Sequence, residues 1–172
     1  IKDNNGCIRN DTVIIAASSA VQLQLSHTDV LCAGAFTGSA EAVVTGGTMP
    51  YNFKWSNGAM VFNENIIRDI GAGTYNFIVQ DAVGCSLSAP VIITEPAALS
   101  VAFLTAPSYC DFSNGSANAN VTGGAPPYSF LWSPPVNRTP ALNNVLAGNY
   151  QLTVTDKNNC SVSLLTTILN DK

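Results

Sequence analysis

The sequence predicts an all-β protein made of tandem β-sandwiches. Apolar and aromatic side chains alternate with polar ones in short segments, which is typical of strands with one buried and one solvated face. Gly, Pro and Asn punctuate these segments every ~8–12 residues, as in sandwiches. One long motif also occurs twice, so the chain is expected to be a repeat array. No window favours a helix of ~10 residues or more.

The repeated motif fixes the predicted domain organisation. The motif at residues 44–55 (VTGGTMPYNFKW) occurs again at 121–132 (VTGGAPPYSFLW). In each copy, a predicted strand is followed by a Gly-Gly-x-x-Pro corner and then by a strand in which aromatic residues alternate with others. A turn of the form Asp-x-x-Gly/Asn-Cys ends at residues 7, 85 and 160, and its first copy lacks a preceding strand. We therefore expect residues 1–18 to be the terminal strand of a truncated upstream repeat. The first whole repeat is expected at 19–96 and the second at 97–172.

Two aromatic positions per repeat narrow the type of sandwich. Trp55 and Trp132 lie on the third predicted strand of their repeats. Tyr75 and Tyr150 each follow a Gly-containing corner at the start of the next-to-last strand. A core Trp and a corner Tyr at these positions are hallmarks of immunoglobulin-like sandwiches. The fold class is therefore predicted to be tandem immunoglobulin-like β-sandwiches.

Composition argues against several classes of partner. Charged residues make up 10% of the chain, against an average of ~25%. With seven Lys and Arg and a net charge of −4, the chain has no basic patch of the kind that binds nucleic acid or an anionic membrane. No apolar run reaches the ~18–20 residues of a membrane span.

The ordered motifs Val-Thr-Gly-Gly-x-x-Pro-Tyr-x-Phe-x-Trp-Ser, Ala-Gly-x-Tyr, Val-x-Asp-x-x-Gly-Cys and Thr-Glu-Pro-Ala-Ala-Leu resemble the SprB repeat. That family occurs in giant surface proteins of the Bacteroidetes, including the gliding-motility adhesin. The Gly-x-Tyr-x-x-x-Val-x-Asp strand is also similar to polycystic-kidney-disease-type domains. The second repeat departs from the motifs where Ser56-Asn-Gly is replaced by Ser133-Pro-Pro-Val-Asn, and where Asp156-Lys-Asn-Asn-Cys160 stands for Asp-x-x-Gly-Cys.

The resemblance implies a non-enzymatic repeat segment of a bacterial cell-surface adhesin, exported by type IX secretion. Such a segment acts as a stiff stalk and a multivalent adhesive surface in gliding or attachment. Its expected partners are neighbouring repeats of the same chain and a surface polysaccharide or another extracellular ligand. A carbohydrate-binding module and an accessory region of a large secreted hydrolase are the alternatives. Asp11-Thr12-Val13 also matches a short bacterial O-glycosylation signal, with Thr12 as the acceptor.

The five cysteines allow more than one disulfide pattern. An exported domain of ~75 residues gains from disulfides because its core is marginal. We expect pairing within each repeat, Cys32–Cys85 and Cys110–Cys160, which leaves Cys7 without a partner. Pairing across the linker (Cys7–Cys32 and Cys85–Cys110) is an alternative. A bond between neighbouring repeats, Cys32–Cys160, is a third, because these two positions lie at poles that meet.

Other polar positions have structural explanations. Asp81 and Asp156 are expected to cap their turns, and calcium binding at a module junction together with Glu95 is the alternative. The Gly-Gly pairs are turn glycines, since neither the Lys-Ser/Thr nor the helix of a phosphate loop follows them. His27 is expected to be an exposed residue. A single His without a Cys-x-x-Cys pair does not indicate zinc, and no cofactor or catalytic residue is predicted.

Overall fold

The computed structural model describes residues 19–171. The predicted strand at 1–18, together with Cys7 and Thr12, lies outside the described residues. The described part of the chain is built from strands and turns and contains no helix. It therefore has no helix that could span a membrane.

Each repeat contributes one set of strands to the fold. The strands of the first repeat are β1 (Gln22–Thr28), β2 (Gly38–Thr45), β3 (Asn52–Ser56), β4 (Val61–Phe62), β5 (Ile66–Ile70), β6 (Gly73–Gln80) and β7 (Ser86–Ile93). The strands of the second repeat are β8 (Ser100–Ala106), β9 (Ser108–Tyr109), β10 (Gly115–Thr122), β11 (Ser129–Ser133), β12 (Ala141–Val145), β13 (Gly148–Thr155), β14 (Ser161–Ile168) and β15 (Asn170–Asp171).

The strand order is that of an immunoglobulin-like sandwich. In the first repeat, the sheet β1-β2-β5 packs against the sheet β4-β3-β6-β7, and all neighbouring strands are antiparallel. The second repeat has the equivalent sheets β8-β10-β12 and β11-β13-β14, also antiparallel. Its short strands β9 and β15 form an additional parallel pair. The predicted all-β, immunoglobulin-like fold class is thus confirmed.

Each repeat has its own hydrophobic core, drawn from both of its sheets. Trp55 is fully buried opposite Phe77, with ring centroids 4.6 Å apart. Trp132 is equally buried and lies opposite Leu152. Aromatic side chains of this size bury about 150–250 Å² each, so one Trp provides a large share of a small core.

The corner tyrosines close the sandwich. The Tyr75 hydroxyl donates to the carbonyl oxygen of Gly71 at 3.1 Å, and the Tyr150 hydroxyl donates to that of Leu146 at 2.8 Å. Both rings are buried. Each bond fixes the crossing from one sheet to the other, because it ties the start of the next-to-last strand to the preceding turn.

The repeats differ most in the segment after the Trp strand. The first repeat forms the short strand β4 there, whereas the second makes one isolated bridge from Trp132 to Asn137. The indole Nε1 of Trp132 donates to the carbonyl oxygen of Thr139 at 3.1 Å. The buried Nε1 of Trp55 has no such partner. The Pro-Pro substitution noted in the sequence therefore changes an edge of the sandwich and leaves the core in place.

Candidate functional site: the junction between the repeats

The Gly-Gly corner is the place where the chain enters each repeat. Gly124 N–H donates to the carbonyl oxygen of Ala97 in the linker at 2.8 Å, and Gly123 has a φ of 70°. A Cβ added to Gly123 would lie 2.0 Å from the carbonyl oxygen of Ala98. Glycine is required here because the incoming backbone lies against the corner and φ is positive. The corner therefore docks the linker.

The first repeat has the same arrangement. Gly47 N–H donates to the carbonyl oxygen of Ser19 at 2.8 Å, and a Cβ on Gly46 would lie 2.1 Å from the carbonyl oxygen of Ala20. The tyrosine of each motif reinforces the corner: Tyr51 donates its hydroxyl hydrogen to the carbonyl oxygen of Gly46. Tyr128 does the same with Gly123 at 2.6 Å. The corner is thus a rigid platform for the segment that precedes each repeat.

A buried aspartate joins this corner to the turn between the last two long strands. We call that turn the F–G loop, which comprises residues 81–85 and 156–160. Asp81 Oδ1 accepts from the N–H groups of Val83 (3.1 Å) and Cys85 (2.8 Å), while its Oδ2 accepts from Thr48 N–H in the corner (3.0 Å). Because one carboxylate serves both segments, the cysteine at the end of the loop is held relative to the linker platform.

Asp156 makes the same three bonds in the second repeat. Its Oδ1 accepts from Asn158 (2.8 Å) and Cys160 (2.9 Å), and its Oδ2 accepts from Ala125 (2.9 Å). Both aspartates therefore cap their turns, as expected from the sequence. Each also bonds to the Gly-Gly corner.

These hydrogen bonds favour the ionised aspartates. Desolvation raises the pKa of the Asp81 carboxyl, but backbone N–H groups, Thr48 first among them, outweigh it and hold the pKa below its ordinary value. The hydrogen bond from Ala125 N–H is the main cause that lowers the pKa of Asp156, against the opposing effect of desolvation. Both side chains are thus carboxylates at neutral pH.

A disulfide joins the two repeats across the junction. Cys32, in the loop between β1 and β2, bonds to Cys160 in the F–G loop of the second repeat, with their Cα atoms 5.7 Å apart. Cys85 and Cys110 are free and exposed. The expected within-repeat pairs, Cys32–Cys85 and Cys110–Cys160, are therefore wrong for this structure, and the third alternative is the one formed.

The physical reason is the position of the two loops at the ends of the sandwich. The loop that carries Cys32 follows the first strand, whereas the F–G loop of the same repeat precedes the last strand. Both strands end at the same pole, where Val30 N–H donates to the carbonyl oxygen of Thr94 at 2.9 Å, so the loop after the first strand and the loop before the last strand lie at opposite poles of one repeat. Cα atoms must come within ~7 Å to form a disulfide. That approach is achieved between one repeat and the next.

Hydrogen bonds support the disulfide on both sides. Asn158 Nδ2 donates to the carbonyl oxygen of Leu31, beside Cys32, at 2.9 Å. In the linker, Thr94 N–H donates to Asp29 Oδ1 at 2.7 Å, and Glu95 Oε2 accepts from Gly34 N–H at 2.6 Å. The linker is therefore attached to the first repeat at its start and to the Gly-Gly corner of the second repeat at its end.

The histidine and the acids considered for a metal take part in local contacts. His27 is exposed and its Nε2 lies 3.8 Å from Asp29 Oδ1. The hydrogen bonds from Thr94, and secondarily the charge of His27, lower the pKa of Asp29. Within residues 19–171, no three His, Cys, Asp or Glu side chains group as a metal site. Calcium at the junction stays a prediction that titration calorimetry with calcium chloride would test.

Two parts of the junction could not be found from motifs. Asn158 has no counterpart in the first repeat, where Val83 occupies the equivalent place in the F–G loop. The Leu31 carbonyl is a backbone group, so its role cannot be identified from the residue type. The Thr-Glu-Pro-Ala-Ala-Leu segment (94–99) occurs once, and its position between the repeats indicated a linker.

Comparisons with known proteins agree with this organisation. The model of the SprB repeat family matches residues 25–60 and 105–137, one segment in each sandwich. The match indicates a repeat of the cell-surface adhesin type. No match to the chain was found among curated proteins.

Solved structures with a similar fold include three immunoglobulin-domain proteins. They are the N-terminal eight Ig domains of Down Syndrome Cell Adhesion Molecule isoform 1.30.30 (TM-score 0.45, 11% identity, 90% of this chain and 25% of that one), Sidekick-1 immunoglobulin domains 1–5 (TM-score 0.45, 9%, 91% and 40%) and an amphioxus IgVJ-C2 molecule (TM-score 0.35, 13%, 90% and 98%). The chain thus spans a quarter of the first structure and two fifths of the second. From the family match and the strand topology, the chain has two segments that match the SprB repeat, and each lies in an immunoglobulin-like β-sandwich.

Proposed function

We propose that the chain is a non-enzymatic segment of a large bacterial cell-surface adhesin, in which it acts as a stiff stalk and a multivalent adhesive surface for gliding motility or attachment. Type IX secretion and an origin in the Bacteroidetes belong to the same proposal, by resemblance to the SprB family. The single observation that carries the stalk is the Cys32–Cys160 bond between the repeats.

Stiffness follows from the number of independent constraints at the junction. The linker is hydrogen-bonded at Thr94 and Glu95 on one side and at Ala97 on the other. The disulfide adds a second covalent connection between the repeats. Two connected bodies with one flexible joint can bend, whereas two separate covalent connections restrict both bending and twisting. A stalk that keeps an adhesive tip away from a cell needs such a restriction.

The adhesive part of the proposal rests on the solvated sheet faces. The chain is 10% charged, and the exposed strand positions include neutral polar side chains such as Thr74 and Asn76 in β6 and Asn118 and Asn120 in β10. Such groups make hydrogen bonds to hydroxyl-rich ligands, and a single repeat would bind weakly. Many copies along one chain raise the overall affinity through effective concentration. Surface polysaccharide is therefore the proposed ligand class.

A lack of catalytic function is also part of the proposal. A surface groove beside β4 and β5 is lined by Val61, Phe62, Asn63, Glu64, Ile66, Ile67 and Arg68. Glu64 is its only acidic side chain, whereas glycoside hydrolysis ordinarily uses two carboxylates. The groove thus offers no pair of acid and base groups for that reaction.

The stalk is tested by the relative motion of the two repeats. We expect ¹⁵N relaxation to give one shared rotational correlation time for both repeats in the oxidised chain. The double variant Cys32→Ser/Cys160→Ser should give shorter and unequal correlation times. Cys85→Ser/Cys110→Ser is the matched control, since it also removes two cysteines but leaves the junction bond. Equal relaxation in all three proteins would refute a stalk stiffened by this bond.

The adhesive role is tested with beads that display the chain at high density. We expect these beads to adhere to polysaccharide-coated surfaces while the free chain shows little binding on a glycan array. Saturable glycan binding by free residues 19–171 would instead support the carbohydrate-binding module. Release of sugar products from the glycans would contradict the non-enzymatic proposal.

A further inference from the structure

We propose that Cys85 and Cys110 are the two open halves of the same inter-repeat disulfide, and that each bonds to the complementary cysteine of a further SprB-type repeat. The rule is that the cysteine after the first long strand of one repeat bonds to the F–G-loop cysteine of the following repeat. Cys32–Cys160 is the instance that this structure contains. The inference deepens the proposed stalk function.

The exposed cysteines occupy the same chain positions as the bonded ones. We call the connection from the first to the second long strand the A–B loop, which comprises residues 29–37 and 107–114. Cys32 and Cys110 are each the fourth residue after the first long strand, and Cys85 and Cys160 each immediately precede the last long strand. A disulfide position in one repeat therefore has a counterpart in the other.

The F–G loop presents Cys85 in the same way as Cys160. The N–H of Cys85 donates to Asp81 at 2.8 Å, and the N–H of Cys160 donates to Asp156 at 2.9 Å. The backbone carbonyl of each cysteine also accepts from the N–H of its aspartate, at 2.9 Å in both repeats. Because this framework holds the bonded cysteine at the junction, it places Cys85 ready for an equivalent partner.

The surface around Cys85 matches an occupied surface in the second repeat. At the junction, Cys32 and Ala33 of the first repeat form one wall of a groove whose second-repeat walls are Ala98, Leu99, Cys160, Ser161 and Val162. The corresponding first-repeat groove is lined by Ser19, Ala20, Val21, Asp81, Cys85, Ser86 and Leu87. Among the described residues no A–B loop covers it. The occupant that fits this groove is the A–B loop of another repeat.

The A–B loop of the second repeat offers the complementary surface. Cys110 is exposed and stands next to Tyr109, whose side chain is 49% exposed. Phe112 and Leu169, on the same loop and on the chain that pairs with it, are 67% and 68% exposed. In the first repeat the equivalent neighbour of Cys32 is Leu31, whose carbonyl oxygen accepts a hydrogen bond from Asn158 Nδ2 at the junction. An apolar surface of this kind is suited to burial against another repeat.

Polarity determines which partners are possible. The A–B loop of the first repeat and the F–G loop of the second meet at the junction. The F–G loop of the first repeat and the A–B loop of the second therefore lie at the two outer poles. Cys85 and Cys110 cannot meet within one chain, but Cys110 of one copy can meet Cys85 of another in a head-to-tail contact. Such heterologous contacts propagate as open arrays.

The chemistry requires a disulfide oxidant of the kind found outside the cytoplasm. The thiolate of one cysteine attacks the oxidant and forms a mixed disulfide, releasing one thiol. The second thiolate then attacks the mixed disulfide, which forms the inter-repeat bond and releases the second thiol. Two protein thiols lose two electrons and two protons, and one oxidant disulfide is reduced to two thiols.

The test uses two variants with complementary open ends. Cys7→Ser/Cys85→Ser keeps Cys110, and Cys7→Ser/Cys110→Ser keeps Cys85. Both keep the Cys32–Cys160 bond. The two variants are mixed in equal amounts with oxidised glutathione, and the linked peptides are quantified by mass spectrometry without reduction. The reaction rate of each thiol with a small aromatic disulfide reagent is the control for accessibility.

We measure the ratio of the mixed Cys110–Cys85 bond to each homotypic bond. We expect this ratio to be roughly tenfold higher than its value for random pairing, because even a small docking preference gives a factor of ten. Random pairing gives the mixed bond at about twice the amount of either homotypic bond, by the same mass-action reasoning. That random ratio, or the absence of a mixed bond, would overturn the proposal. Bead adhesion and the rigidity of the Cys32–Cys160 junction do not depend on Cys85 or Cys110. The stalk proposal and this inference are therefore tested independently of each other.

Discussion

Pulling on the two ends of the chain should reveal how the junction disulfide carries force. Tension applied at the termini reaches Cys32 from one side and Cys160 from the other. The bond connects these two residues directly, so residues 33–159 lie outside the path of the load. Twelve of the fifteen described strands, β2 to β13, lie in this shielded segment, whereas β1, β14 and β15 remain under load.

The size of the effect follows from the length of the shielded chain. Cys32 and Cys160 are 128 residues apart in sequence. An extended chain spans ~3.3–3.6 Å per residue, so release of this segment adds about 420–460 Å to the fully extended length. The oxidised chain should therefore lack the long unfolding steps that the reduced chain shows.

The assay is single-molecule force spectroscopy with enzymatically coupled handles at both termini, so that no cysteine is used for attachment. We expect steps that sum to about 420–460 Å to appear on reduction and in the Cys32→Ser/Cys160→Ser variant. Cys85→Ser/Cys110→Ser should keep the short extension of the oxidised protein. Full extension of the oxidised, unmodified chain would show that the junction bond does not carry the load.

Three further perturbations test the corner, the capping aspartates and the tyrosine. Gly123→Ala should destabilise the second repeat by about 1–3 kcal/mol more than Gly58→Ala in urea unfolding, because both have positive φ but only Gly123 faces a carbonyl oxygen. Equal losses would contradict linker docking. Asp81 and Asp156 have lowered folded-state pKa values, so their stabilisation should persist above the unfolded pKa of ~3.9 and decline as pH falls below it. Their Asn variants, followed by pH-dependent thermal melting, should lose that decline, and an unchanged acid limb would exclude these groups. Tyr150→Phe should cost about 0.5–1.5 kcal/mol in urea unfolding through its lost hydrogen bond, and no loss would exclude a stabilising corner.

The fold was predictable because its signals are local and occur twice. The alternation around Trp132 and the Gly corner before Tyr150 are short patterns, and each has a matching copy in the first repeat. Both copies show apolar residues at every second position, so the same side chains face the core in each repeat. This agreement between the copies is strong evidence for a sandwich. The glycines of the corner were also recognisable as turn residues, although the linker carbonyl that requires them was not.

The disulfide was not predictable from the same signals. Five cysteines admit several pairings, and the choice depends on which loops meet in space. A bond within each repeat was expected because a single small domain has a marginal core that a disulfide would stabilise. The structure favours the pole argument, which places Cys32 and Cys160 at one junction. Asn158 was missed because it occurs in one repeat and has no counterpart to compare with.

The segment after the Trp strand has a consequence for protein engineering. Its sequence and its pairing differ between the repeats, with strand β4 in one and a single bridge at Asn137 in the other. Both repeats nevertheless keep a fully buried Trp and the same Asp-to-corner bonds. Residues 57–60 are consequently the place to insert a peptide tag or a small binding domain. If the same segment of every repeat in an array carried such an insert, the inserts would occur once per repeat. The distance between them would then be set by the junctions between the repeats.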